Sequence, residues 1–168
     1  MTERVPHRIT TAIARLDPPP DARVLEIGPG PGVSLGLLCD RVPDGHVVGV
    51  DRSATAVERA LARNAEHVAA GRLTIRQGTL AELDGEDPFD RVLAVNVNVF
   101  WTAPATEEVR RIRELLAPDG RALLVFEPPD AASLDRVAAA VRGALEAGGL
   151  AASAERDDAL LLVTAHHP

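Results

Sequence analysis

Three glycines at alternate positions, Gly28, Gly30 and Gly32, follow directly on the apolar run Val24-Leu25-Glu26-Ile27. A turn without Cβ atoms lets a ligand approach the backbone and tolerates φ > 0 where the chain bends sharply. Glu26 is a carboxylate inside an apolar strand, which is costly unless a cation or a hydrogen-bond donor faces it. A partner is therefore expected, an arginine being the ordinary one. Asp51 ends the next apolar run, His46 to Val50, about 20 residues beyond the turn, where such chains place an acceptor for ribose hydroxyls. Capping a helix is the alternative use of an Asp there. Asn96 and Asn98 stand behind a fourth apolar run, and Glu127 stands behind a fifth. Phe100 and Trp101 follow the asparagines in a chain with 2% aromatic residues, one tryptophan and no tyrosine. An aromatic ring at a strand mouth can wall a pocket or face a cation, or simply anchor the loop in the core. As general bases, His7 and Glu127 are the candidates. His46 should lie at the wrong end of its strand, His67 on the outer half of a helix, and His166 and His167 in a terminal tail.

The elements that must position these groups follow from hydrophobic period and breakers. Val5, Ile9, Ala12, Ile13 and Leu16 predict a leading helix, stopped by Pro18-Pro19-Pro20, that could lie over a pocket. After the strand Val24 to Ile27 and its turn comes a helix over Val33 to Val42, then the strand His46 to Val50. The next helix should begin near Ser53 or Thr55, since Thr55 and Glu58 have capping-box spacing, and run along Val57, Ala60, Leu61, Ala65 and Val68 to Gly71. Strands are expected at Leu73 to Ile75, Phe89 to Val95 and Ala122 to Phe126. A helix from Thr106 buries Val109, Ile112, Leu115 and Leu116 and ends at Pro118-Asp119-Gly120, and another runs from Leu134 to Gly148. Leu150 to Glu155 and Ala159 to Ala165 read as an antiparallel hairpin joined at Asp157-Asp158. The alternation predicts an α/β fold: a doubly wound, mostly parallel sheet with helices on both faces, binding its ligand beyond the carboxyl ends of the strands. Glu26, Asp51, Thr79, Asn96 and Glu127 fall at or near such ends.

With 168 residues the chain suits one domain, 1–168, made of a leading helix in 1–20 and a core over 21–168. At 46% hydrophobic and 26% charged residues it has a globular composition. The net charge of −7 argues against a general nucleic-acid binder, which would present a concentrated basic surface. Every basic residue is an arginine, a genomic bias without chemical meaning. Cys39 has no partner for a disulfide and sits in a helical apolar run, the setting of a buried hydrophobe. Charges at Glu3 and Arg4, no leader-like apolar stretch and no run near 18 apolar residues make the cytoplasm the default location, with no membrane partner.

A dinucleotide site would read Gly-x-Gly-x-x-Gly, whereas this turn is Gly-x-Gly-x-Gly with an acid two residues before it. The chain resembles the class I S-adenosylmethionine-dependent methyltransferases over nearly its whole length. The resemblance rests on Leu25-Glu26-Ile27-Gly28-Pro29-Gly30-Pro31-Gly32, Gly49-Val50-Asp51, Phe89-Asp90-Arg91-Val92 and Leu116-Ala117-Pro118-Asp119-Gly120-Arg121. It implies a Rossmann-like seven-stranded sheet with an antiparallel C-terminal strand, and S-adenosylmethionine as cofactor. By the same resemblance Glu26, Gly28, Pro29, Gly30 and Gly32 hold the methionine part, Asp51 the ribose, and Arg52, Thr79, Leu80 and Asn96 complete the cofactor set. The acid that the family often carries after strand three is replaced by Gly78-Thr79-Leu80, leaving adenine to backbone groups, the Thr79 hydroxyl and apolar walls. Val97, Asn98 and Val99 break the Asn-Pro-Pro-Tyr pattern of amide and nucleobase N-methyltransferases. No grouping of Asp and Asn looks like a magnesium site, so no metal is expected. Asn98 and Trp101 are expected at the acceptor, and His7, Asn96 and Glu127 are the catalytic candidates. The implied reaction is methyl transfer to a small-molecule acceptor, with a protein acceptor or a non-catalytic cofactor-binding module as alternatives. Few residues remain for substrate recognition, so the pocket is open or is finished by a second subunit of a homo-oligomer.

Overall fold

In the computed structural model, which describes residues 4–168, the apolar runs become seven strands of one sheet. The stretch up to Glu3, on which the reading of a leaderless start partly rests, lies outside the described residues. The strands are β1 (Arg23–Ile27), β2 (His46–Asp51), β3 (Leu73–Gln77), β4 (Phe89–Val95), β5 (Leu116–Phe126), β6 (Ala151–Asp157) and β7 (Leu160–His166), in the order β3-β2-β1-β4-β5-β7-β6. β1 to β5 pair in parallel, and β7 runs antiparallel to both β5 and β6. The C-terminal hairpin therefore turns back to insert its second strand beside β5, leaving β6 at the edge. Seven helices flank the sheet: α1 (His7–Leu16), α2 (Val33–Arg41), α3 (Ala54–Arg63), α4 (Ala65–Ala69), α5 (Val99–Thr102), α6 (Thr106–Leu115) and α7 (Ala131–Ala147).

Because strand side chains alternate between faces, the inner strands β1, β2, β4, β5 and β7 each feed two cores. Leu25, Ile27, Val92, Ala94, Ala122, Leu124 and Phe126 pack with Val109 and Ile112 of α6 and Val137 and Val141 of α7. Val24, Leu93, Leu123 and Val125 pack on the other face with Ala12, Ile13 and Leu16 of α1 and Leu35 and Leu38 of α2. Cys39 is a hydrophobe of that second core, and burial pushes its thiol up to about 11.

Three local expectations are corrected, and of the two helix starts expected one is selected. The long third helix is two, because buried Asn64 leaves helical geometry and its amide donates to Gly32 O and Ala60 O, both at 2.9 Å. Its N-cap is Ser53, which accepts from Ala56 N–H at 3.2 Å, and not Thr55. Leu116 opens β5 instead of closing α6, so Pro118-Asp119-Gly120 lies within the strand's irregular start. The leading helix covers a sheet face and not a pocket. Arg91 of β4 and Arg121 of β5 donate to Leu16 O at 3.1 and 2.7 Å, placing cations at its carboxyl end.

Candidate active site

Successive crossovers leave β1 in opposite directions, toward β2 and β3 on one side and toward β4 and β5 on the other. Between β1 and β4 the covering helices diverge, and an open crevice is left at the carboxyl ends. The loops after β1 and β4 meet there: a Cβ on Gly28 would stand 3.1 Å from Val97 Cγ2. The crevice is a cleft of about 520 Å³ whose walls include Gly28, Asp51, Arg52, Thr79, Leu80, Asn96 and Asn98.

The glycine turn is built for more than one purpose. Gly28, Gly30 and Gly32 all have positive φ, between +56° and +79°, which L side chains rarely adopt. Beside Gly30 the space for a Cβ is open. At Gly32 it is filled by Ala60 and Asn64, each 2.8 Å away, so glycine is required there to let α3 pack against the turn. Asp51 ties the turn to the next helix, accepting from Gly30 N–H at 3.0 Å with one oxygen and from Ser53 N–H at 2.9 Å with the other. Its half-buried carboxylate still faces the cleft with further lone pairs. The ribose-acceptor and helix-entry uses of this residue are compatible.

Glu26 lies beneath the turn, 2% exposed. No arginine meets it. Ser34 of α2 donates to Oε1 at 2.6 Å, and Oε2 is buried without a protein partner. Burial pushes its carboxyl up to about 7, the Ser34 hydroxyl opposes that and nearby Asp51 adds to it. A cation arriving at the turn would restore the charged form.

Thr79 N–H and its hydroxyl both donate to Glu82, at 2.7 and 2.9 Å, capping the short 3₁₀ turn Leu80–Glu82. The hydroxyl proton is thus committed, leaving the oxygen's lone pairs and the wall itself to face a ligand. Asn96 adopts φ +55° at the end of β4, its Oδ1 accepting from Glu127 N–H at 2.8 Å. That bond fixes the amide's orientation and holds the exit loops of β4 and β5 together.

A second cavity, of about 270 Å³, adjoins the cleft and shares Asn96 and Asn98 with it. Trp101, Phe126 and Glu127 line it, as do Ser133, Arg136 and Val137 of α7. The two adjacent aromatics divide their roles: Phe100 is 1% exposed in the core, whereas Trp101 is half-buried at the cavity. Glu127 pairs with Arg8 of α1 at 3.2 Å. His7 is exposed, contacts Thr11 and lines neither cavity. Of the predicted turn residues only Gly28 lines the cleft; Glu26, Pro29, Gly30 and Gly32 lie outside both linings, Pro29 buried against Gly49 of β2. The sequence reading passed over Glu108, Ser133 and Arg136. Each sits near the start of a helix, where its type is explained by solvent or the helix end, and only the packing of α6 and α7 turns it to a cavity. Among the described residues no group of three metal-ligating side chains occurs, and no helix is long and apolar enough to cross a membrane.

Residues 24–120 match the family described as "Methyltransferase domain". The chain is 31% identical over 118 residues to a trans-aconitate 2-methyltransferase of Variovorax paradoxus, covering 70% of this chain and 42% of that protein. It is 37% identical over 114 residues to a nocamycin O-methyltransferase of Saccharothrix syringae, covering 63% and 38%. The chain therefore spans less than half the length of these relatives. In fold it resembles a solved complex of the Haloferax volcanii Trm112 methyltransferase activator with its partner, with a TM-score of 0.78, 19% identity and coverage of 96% and 89%. The chain belongs to the class I S-adenosylmethionine-dependent methyltransferase family, shown by the match over residues 24–120, and its seven-stranded sheet is consistent with that.

The site fits the cofactor that this family uses. Gly28 and the Asp51 carboxylate on the cleft wall, with the unpartnered Glu26 Oε2 buried under the turn, suit a ligand with a ribose and a positive charge.

Proposed function

We propose that the chain is an S-adenosylmethionine-dependent methyltransferase domain acting on a small-molecule acceptor. The observation that carries this reading is the pair of adjoining cavities with Asn96 and Asn98 on their shared wall, one suited to the cofactor and one to an acceptor. When bound, S-adenosylmethionine supplies an activated methyl carbon on a sulfonium. Asp51 would hold the ribose, the turn at Gly28 and Gly30 the methionine part, and Leu80 with its neighbours the adenine. Glu26, charged once a cation is near, offsets the positive charge from below. The task left to the chain is positioning, since holding reacting atoms about 3–3.5 Å apart supplies roughly 7–11 kcal/mol of a barrier. Asn96 and Asn98 orient the acceptor, and Trp101, Phe126 and Val137 exclude water from its apolar part. The relatives named for trans-aconitate and nocamycin support a small acceptor.

S-adenosylhomocysteine, which binds the folded state, should raise the melting temperature, while NAD at the same concentration leaves it unchanged. The reverse response would refute the cofactor assignment. Tight binding with no transfer to any acceptor from a fractionated lysate or to any protein would mark the chain as a binding module instead.

A further inference from the structure

The smaller cavity carries a mark of its occupant. Its volume of about 270 Å³ lies just below the usual range of ligand pockets, about 300 to 1,000 Å³, and so suits a small molecule. Trp101, Phe126, Pro128 and Val137 make its walls mainly apolar, and two charged side chains, Glu127 and Arg136, complete them. These two are not equivalent. The Glu127 carboxylate is already paired with Arg8 at 3.2 Å. Arg136 has no carboxylate at ion-pair distance among the described residues, and its guanidinium stands over the Trp101 ring, 6.0 Å from the centroid. Asp130 senses its charge, but that carboxylate is held chiefly by Ser133.

A cationic acceptor would compete with Arg136 for the ring face and be repelled by it. An anion would meet a guanidinium whose donors are free and whose planar fork matches a carboxylate. One free cation beside an acidic group suits a single negative charge better than a phosphate dianion. We propose that the acceptor is a small carboxylate with an apolar body, its anionic group held by Arg136 and its reacting atom turned toward Asn96 and Asn98. This assignment rests on the methyltransferase reading.

Trp101 is the only tryptophan and the chain has no tyrosine, so its emission reports on this cavity alone. With excess S-adenosylhomocysteine present, 4-nitrobenzoate should quench it saturably, with a midpoint about tenfold or more below those of 4-nitrobenzamide and 4-nitrophenyl phosphate. Arg136→Ala should raise the nitrobenzoate midpoint about tenfold or more and leave the nitrobenzamide midpoint in place. Equal midpoints for the acid and the amide, a phosphate that binds best, or an Arg136→Ala variant with unchanged nitrobenzoate binding would each overturn the proposal. Calorimetry with S-adenosylhomocysteine on the same two proteins separates the levels. Unchanged affinity in both confirms that Arg136→Ala is folded and acts only on the acceptor side. No binding to the wild type would instead bring down the cofactor reading on which the proposal stands.

Discussion

Asp51 joins three parts of the site through one carboxylate, since it accepts from Gly30 and Ser53 and faces the cleft. Asp51→Ala should therefore weaken S-adenosylhomocysteine binding by roughly 2–4 kcal/mol and also lower the melting temperature of the free protein, because two backbone donors lose their acceptor. Calorimetry and thermal melts check the two effects, and unchanged affinity would remove Asp51 from the site. The acid–base candidates should behave differently. His7 lines neither cavity, and Glu127 is held by Arg8. Neither His7→Ala nor Glu127→Gln should abolish single-turnover transfer, because a general base contributes about 10²- to 10⁴-fold and positioning supplies more. A loss greater than about 10⁴-fold from either variant, with binding intact, would mean that proton transfer governs the rate.

Between α3 and α4 a single side chain decides how the helices meet the glycine turn. The buried Asn64 amide bridges Gly32 O and Ala60 O, and its place is secured by the missing Cβ atoms of Gly32 and Gly36. Asn64→Ala should destabilise the protein by about 2–4 kcal/mol, through one lost interaction to Ala60 and a buried Gly32 carbonyl left unpaired. Urea unfolding measures the loss. If the turn is held by Asn64, cofactor affinity drops in the same variant even under conditions where it is fully folded. An equally stable variant with full affinity would show that helix packing alone positions the turn.

For the molecule as a whole, Glu26 sets a dependence on pH. Its folded carboxyl lies near 7 against an ordinary 4.5. The protonated form is thus favoured by folding, so its stabilising contribution is fully present below about 4.5 and is lost as pH rises to about 7, a change of roughly 3 kcal/mol. Other carboxyls, such as Glu82 and Asp130, are shifted down and slope the opposite way. The comparison that isolates Glu26 is wild type against Glu26→Gln without cofactor, where the variant should gain relative stability between pH 5 and pH 8. Parallel stability curves across that range would show that the buried oxygen is solvated.

The order of elements was legible in the sequence because each rule involved is local. Period-two and period-3.6 patterns gave the strands and helices, glycines and prolines their ends, and the Glu26-to-Gly32 and Gly49-to-Asp51 stretches the cofactor corner. The individual side-chain pairings and strand neighbours between distant segments were not. The break at Asn64 exists because Gly32 accepts across 32 residues, and β7 lies beside β5 because the hairpin turns back into the sheet. No spacing within α7 shows that Arg136 stands over Trp101, or that Ser34 rather than an arginine answers Glu26. Local chemistry determined which ligand corner the chain could form. Only tertiary packing decided which side chains face each other across it, since those pairings are fixed by how helices from distant parts of the chain seat on the sheet.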